Sequence, residues 1–303
     1  MEHSTARERR WPELARPAGR RASDEARLAA SAEVRASTEE QRAQWRRAAE
    51  EDADAARRLA AWCRAHGDTA EHRHLEALAE QAEREAAHEA VLLPVLQRAA
   101  VEGRDPAAAL ALGQALCRRG EPEAAAPWLE RAVAQDPRTT VTAAHAYCCL
   151  SRRRAPLARS QRWLHRALRH ELERSGAGEG VVLAEDLFGL ADGDDGRPRQ
   201  DWSVAVAGDH PERAARALAA TAARSRLVGD GGHEFEAFEL DPADLGGAPP
   251  QVHPGPGGPW VDLDRGGAVS VVVAAALLRV LLEELRAAGV GAARLGSARP
   301  ATG

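Results

Sequence analysis

The sequence contains no lysine, no asparagine and no isoleucine, and its single methionine is Met1. All 41 basic residues are therefore arginines. Because the three missing residues have AT-rich codons, their absence indicates a high-GC bacterial genome rather than selection for arginine. The absence of lysine and asparagine also excludes several kinds of active site. A P-loop would lack its lysine, pyridoxal phosphate would find no lysine for a Schiff base, and no active site can use asparagine.

Aromatic residues are scarce, with three Phe, one Tyr and seven Trp in 303 residues. Hydrophobic residues still make up 44% of the chain, mostly as Ala, Leu and Val. This composition favours closely packed helices over aromatic-rich sheets. The length is sufficient for two ordinary domains.

Cysteine and long apolar runs are also rare. The four cysteines form no CxxC pair, which argues against a disulfide framework and favours a reducing cytoplasm. The N-terminus has no apolar stretch typical of a signal peptide. The longest nearly apolar run, residues 268–278, is about half of the ~20 residues that a membrane span requires. We therefore expect a soluble, cytoplasmic protein without membrane contact.

Changes in composition predict five segments along the chain. They are a disordered N-terminus (residues 1–22), a helical domain (23–175), a Gly/Asp-rich linker (176–200), an α/β domain (201–297) and a short tail (298–303). Charge divides in the same place. The chain up to the linker carries 30 arginines against 27 acids, and the remainder carries 11 against 19. Two regions with different partners, or attracted to one another, are expected.

The segment from Ala107 to Pro137 has the most regular pattern. Its apolar residues recur every three or four positions in two stretches, which predicts two helices with facing apolar stripes. Gly120 would end the first helix in a left-handed conformation, and Pro122 would begin the second. Asp136 and Pro137 would end it.

The spacing of nine residues in this segment resembles the tetratricopeptide repeat: Ala109, Leu112, Gly113, Leu116, Gly120, Ala125, Leu129, Ala132 and Pro137. Downstream, residues 163–168 echo residues 128–133 at a spacing of 35. Upstream, Leu59, Cys63 and Gly67 resemble part of another copy, and Leu92, Leu96 and Ala99 part of a third. A single repeat cannot bury both of its faces. We expect about three hairpins over residues 53–174.

The resemblance implies a protein that holds a protein partner. One known tetratricopeptide binding mode clamps a partner's C-terminal carboxylate with lysine and asparagine, which this chain lacks. The expected inner face is instead mildly apolar and would accept a helix or loop. It consists of Ala107, Leu110, Gln114, Cys117, Arg118, Val141, Ala144 and Cys148.

The C-terminal region predicts the order βαββαβ, which fits a ferredoxin-like sandwich. The expected strands are residues 202–208, 234–240, 259–264 and 292–295, and the expected helices are residues 211–227 and 268–288. Trp260 and Asp262 would face outward with acidic neighbours. RNA-binding sheets present aromatic residues among positive charges, so an acidic face argues against RNA binding. The C-terminal region is therefore expected to be a regulatory or dimerisation domain.

No group of residues stands out as catalytic, metal-binding or cofactor-binding. His66, His72 and His74 lie close together in the sequence, but neither HExxH nor CxxC occurs. Cys148 and nearby His145 lack a third orienting group, so a buried thiol is the simpler interpretation. We predict no catalytic residue, no metal and no cofactor.

The predicted partner-binding residues are mainly arginines of the last repeat. They are Gln114, Arg118, Arg152, Arg153, Arg154, Arg159, Arg162 and Arg166, and Arg169 and Arg174 belong to the same cluster. Guanidinium groups bind carboxylates and phosphates in a bidentate manner. The candidate targets are, in order, an acidic partner, the chain's own acidic half and nucleic-acid phosphate.

These observations together predict a non-enzymatic scaffold or adaptor that binds an unidentified protein. The α/β domain would supply a homodimer contact or a second binding surface. The alternative is a regulator whose α/β domain senses a small molecule while the repeats contact an effector. A nucleic-acid partner is the least favoured.

Overall fold

The computed structural model describes residues 53–65, 67–103, 105–151, 155–176, 180–193, 198–229, 232, 250–263 and 269–298. The predicted N-terminal segment, the arginines 152–154 and the predicted strand 234–240 lie outside these residues. The chain divides into two compact units between Leu92 and Leu93.

The first unit contains helix α1 (Ala53–Ala65) and most of helix α2 (Thr69–Glu102). Gly67 lies between them with φ +77°, in the left-handed conformation that glycine adopts without strain. The apolar stripes of both helices form a small core of Ala56, Leu59, Ala60, Cys63, Leu75 and Ala79. Helix α2 runs unbroken for 34 residues, so the predicted half-repeat near Leu92 is part of one long helix.

The second unit begins with the hairpin of α3 (Pro106–Arg118) and α4 (Pro122–Gln135). The Asp105 side chain caps α3 by accepting a hydrogen bond from the Ala107 N–H, and a proline opens each helix. Gly120 takes φ +74° after the first helix ends. The predicted boundaries of this hairpin are confirmed because each rests on local cap chemistry.

A second hairpin follows after a 3₁₀ turn (Pro137–Thr139). Helix α5 (Thr140–His145) widens into a π-helical turn (Ala146–Leu150), and α6 (Leu157–Arg174) returns along it. The rings of Tyr147 and Trp163 stack with centroids 5.9 Å apart. Helix α6 buries one face, formed by Ser160, Trp163, Leu164, Ala167, Leu168 and Glu171.

A small mixed sheet forms the C-terminal part. Its strands are β1 (Val181–Leu183), β4 (Ser203–Ala207), β5 (Trp260–Asp262) and β6 (Ala293–Gly296), in the order β1-β6-β4-β5. Strand β1 is parallel to β6, and the β6-β4 and β4-β5 pairs are antiparallel. Strands β2 (Leu190–Asp192) and β3 (Pro198–Gln200) pair separately. Helices α7 (Pro211–Ser225) and α8 (Val271–Ala287) pack against one another, and α7 contacts β4 and β5.

The predicted linker, residues 176–200, is wrong where the structure describes it. Strands β1, β2 and β3 all lie in this segment, and Val181, Leu183, Leu187 and Phe188 are buried. The glycine and aspartate runs at its two ends suggested a linker, but the apolar residues between them bury enough surface to form structure.

The predicted division at Ser175 is not a boundary in the core. A single buried cluster extends from Ala100 to Leu295. Helix α8 contacts both α5 and α6, and the buried Glu171 of α6 lies 3.7 Å from Arg279 of α8. The second hairpin and the sheet therefore share one core.

The structure confirms a mainly helical chain with a small sheet in its C-terminal part. None of the helices that the structure describes is both long and apolar enough to cross a membrane.

Candidate functional site: a cationic cleft on helix α6

A cleft of about 450 Å³ lies where the α4–α5 turn faces α6. It is lined by nine residues: Val133, Pro137 and Thr140 from α4 and the turn region, and Arg162, His165, Arg166, Arg169, His170 and Glu173 from α6. We call this site the cationic cleft.

Helix geometry explains why one face of α6 supplies six lining residues. At 3.6 residues per turn, Arg162, Arg166 and Arg169 fall within an arc of about 60° and span about 10 Å along the axis. The two lining histidines flank this arc, one on each side. The buried face of α6 points the opposite way, toward the core. Core packing therefore fixes the arginine stripe in the cleft.

The cleft contains more positive than negative charge. Arg162, Arg166 and Arg169 are exposed, and none has a carboxylate within ion-pair distance among the residues that the structure describes. The guanidinium of Arg166 lies over the Trp163 ring, 5.3 Å from its centroid. Glu173 is the acid that lines the cleft. Three guanidiniums are thus available for an anionic ligand.

His165 adds a titratable group to the same wall. Burial and, after it, the Arg169 charge lower the pKa of His165, while Glu185 and the carbonyls of Leu183 and Ala184 raise it less. Its Nε2 is buried and has no hydrogen-bond partner among the described residues. An anion beside the neutral ring would raise the pKa of His165 and favour its protonated form.

The opposite wall of the cleft is mostly apolar. Val133 is buried, and Pro137 begins the turn after α4. The Thr140 hydroxyl donates to the Pro137 carbonyl at 2.6 Å, so its hydrogen is already used. The Asp136 carboxylate accepts a hydrogen bond from the Arg138 N–H and caps the turn. This wall can contact the uncharged part of a ligand.

The structure brings together some of the predicted binding residues and separates others. Arg162 and Arg166 line the cleft. Arg159 is instead paired with Glu123, and lies 3.7 Å from Glu130. Gln114 is half-buried and Arg118 is exposed on α3, and neither lines the cleft. The predicted contacts at 152–154 lie outside the described residues.

The predicted inner groove is not open to a partner at three of its positions. Cys117, Ala144 and Cys148 are buried. The neighbouring Cys149 thiol donates to the Val269 carbonyl at 3.5 Å, just before α8 begins. Because α8 packs on α5, a helix of the chain itself covers part of the surface that the sequence assigned to a partner.

Burial also determines the state of three thiols. It is the largest influence on the pKa of Cys117, Cys148 and Cys149, and it raises all three. These thiols are protonated at neutral pH, which makes them poor nucleophiles. Within the described ranges, no three His, Cys, Asp or Glu side chains come together as metal ligands.

Sequence reasoning missed His165, His170, Glu173 and the wall formed by Val133, Pro137 and Thr140. Helical spacing could have identified the residues of α6, because they lie on or beside the face of the helix that carries Arg162, Arg166 and Arg169. The opposite wall gave no signal, because only tertiary packing brings the α4–α5 turn to α6.

No family model matches this chain, and no curated protein or solved structure matches it.

Proposed function

We propose that this chain is a non-enzymatic, partner-binding helical-repeat protein whose cationic cleft holds an acidic segment of another protein. The observation that carries the proposal is the cleft itself: three arginines without a carboxylate partner among the described residues, facing an apolar wall. Arginine forks bind carboxylates through paired hydrogen bonds. Positive charges that lie close together raise the local concentration of anions and steer an acidic ligand toward them.

The two hairpins of the second unit support the repeat assignment. Gly113 and Ala125 are buried where α3 and α4 meet, as the tetratricopeptide resemblance requires of small residues. The 34-residue α2 departs from that pattern. In this proposal, α3 to α6 form two tetratricopeptide-like hairpins, and the end of the second hairpin presents the cleft.

The antiparallel order β6-β4-β5, with α7 after β4 and α8 before β6, supports a ferredoxin-like arrangement of the C-terminal part. The predicted strand at residues 234–240, which completes that arrangement, lies outside the described ranges. The buried free cysteines agree with a cytoplasmic protein.

Fluorescence anisotropy with labelled peptides tests the proposal. Full-length protein should bind acidic peptides in preference to matched neutral and basic ones, and added salt should weaken the binding. The triple variant Arg162→Gln, Arg166→Gln, Arg169→Gln should bind them at least tenfold more weakly, because the loss of a single charge-assisted hydrogen bond already costs about 1.5–3 kcal/mol.

A matched triple variant, Arg199→Gln, Arg216→Gln, Arg294→Gln, removes the same charge from exposed residues outside the cleft. It should leave binding nearly unchanged. Equal losses in the two variants would show that net charge, not the cleft, attracts acidic peptides, and the proposal would be wrong.

A further inference from the structure

We infer that the group seated in the cationic cleft is a phosphoryl dianion carried by a phosphorylated serine or threonine of the partner. This inference rests on the proposed function and specifies the chemistry that the same site recognises. The first observation is that three guanidinium groups lie close together. Arg162, Arg166 and Arg169 project from two turns of one helix into a single cleft.

A phosphoryl group suits this arrangement better than a carboxylate does. Its three terminal oxygens radiate from one atom and carry close to two negative charges, so several guanidiniums can donate to it at once. A carboxylate offers two oxygens in one plane and a single charge. Three arginines without acidic partners among the described residues therefore match one dianion, whereas carboxylates would have to come from several residues.

His165 adds a group whose charge can respond to the ligand. It lines the cleft with Arg166 and Arg169. Burial and the Arg169 charge lower the pKa of His165, which favours the neutral ring in the empty cleft. A dianion beside the ring would favour the protonated form, so the cleft would gain a further positive charge when it is occupied.

The apolar wall favours a peptide over a free nucleotide as the carrier of the phosphate. Exposed Pro137, backed by buried Val133, offers a surface for the backbone and side chains next to the phosphorylated residue. Among the described lining residues there is no Phe, Tyr or Trp on which a nucleobase could stack. The volume of about 450 Å³ exceeds what a single phosphate ion fills, which leaves room for flanking residues.

The test uses full-length protein and three degenerate peptide libraries that differ only in a fixed central residue: phosphoserine, glutamate or serine. Affinities are measured by competition against a labelled phosphoserine library, with inorganic phosphate and adenosine monophosphate as further competitors. We expect the phosphoserine library to bind about tenfold tighter than the glutamate library, because the dianion completes more charge-assisted hydrogen bonds. The serine library should not compete.

A charge-conserving variant separates the effect of the planar guanidinium groups on binding from the effect of their positive charge. Arg162→Lys, Arg166→Lys, Arg169→Lys keeps three cations but removes the planar forks, so the preference for phosphoserine over glutamate should largely disappear. The Arg199, Arg216 and Arg294 triple variant should retain it. An unchanged preference in the lysine variant would overturn the inference.

The remaining outcomes distinguish this inference from the proposed function. Equal affinity for the phosphoserine and glutamate libraries would overturn the phosphoryl inference and leave an acidic-peptide cleft. Failure of every library would overturn both. Inorganic phosphate or adenosine monophosphate that competed as well as the phosphoserine library would show that the phosphate is not carried by a peptide, and the inference would again be wrong.

Discussion

Gly113 of α3 and Leu129 of α4 lie so close that a methyl group on Gly113 would clash with the leucine. A Cβ built on Gly113 would be 2.5 Å from Leu129 Cδ2 and 2.7 Å from Leu129 Cγ. Leu129 is fully buried, so its side chain has little room to move away. This contact sets how closely the two helices of the first hairpin in the second unit approach.

Gly113→Ala should therefore lower the free energy of unfolding by about 1–3 kcal/mol, despite the better helix propensity of alanine. Urea denaturation followed by circular dichroism measures the change. Leu129→Ala removes both clashing atoms, Cγ and Cδ2, and should by itself cost about 2–5 kcal/mol. The double variant should be more stable than the sum of the two effects predicts, because each change relieves the other. Strict additivity would contradict the close contact.

Glu173→Gln should strengthen binding at the cationic cleft. Glu173 is the carboxylate that lines the cleft beside the arginines, and its removal takes away repulsion toward an acidic ligand. We expect a gain of about twofold to fivefold at low salt, since exposed charge interactions are worth up to ~1 kcal/mol. Anisotropy titration measures it, with Glu212→Gln, at an exposed position of α7 outside the cleft, as the control. Weaker binding by Glu173→Gln would count against an anionic ligand.

The cysteines of the second unit should resist alkylation in the native protein. Burial raises the pKa of Cys117, Cys148 and Cys149, and the pKa of the Cys148 thiol lies well above its ordinary value. Each unit of pKa removes about nine-tenths of the reactive thiolate at neutral pH. Iodoacetamide labelling at pH 7.5, followed by mass spectrometry, should be slow in buffer and fast in urea. Rapid native labelling of Cys148 would contradict its burial.

The free energy of unfolding should fall as the pH drops below about 6.5, the ordinary histidine pKa. Burial lowers the pKa of His145, and burial with Arg169 lowers that of His165. The unfolded chain then binds protons at a higher pH than the folded chain does, which favours unfolding as the pH falls from 6.5 through the lowered values. Stability contributed by these neutral rings is fully present above pH 6.5.

Urea denaturation at several pH values between 7.5 and 5 measures this effect. His145→Gln removes one titrating ring and should flatten the pH dependence relative to the unmodified protein. His74→Gln changes an exposed histidine in the first unit and serves as the control. Identical slopes for the His145 variant and the unmodified chain would show that His145 does not contribute.

A fragment that ends at Ser175 should not fold as the full chain does. It lacks α8, which packs against α5 and α6, and it leaves Glu171 without Arg279. Exposed apolar surface on these helices should bind a hydrophobic dye, and the near-ultraviolet circular dichroism of the fragment should be weak. A cooperative unfolding transition with the midpoint of the full-length chain would contradict a shared core.

Local features were predictable wherever a few adjacent residues determine the backbone. Asp105, Gly120 and Pro122 place the ends of α3 and α4, because capping and turn conformations depend on neighbouring residues alone. The linker was predicted wrongly for a related reason. Glycine and aspartate runs are local signals, whereas β1 forms only because β6, more than 100 residues later, pairs with it.

The candidate site shows the same division. The sequence by itself determined that arginine is the only side chain here with a permanent positive charge, that the chain is mainly helical, and that Arg162 and Arg166 share one face of a helix. Only the tertiary structure decided that Arg159 forms an ion pair with Glu123 and that α8 covers part of the expected inner groove. It also brings the α4–α5 turn to α6, which completes a cleft around Arg162, Arg166 and Arg169. Helical periodicity acts over a few residues and can be read along the chain. The choice among partners for an exposed charge depends on distances that only packing of the whole core establishes.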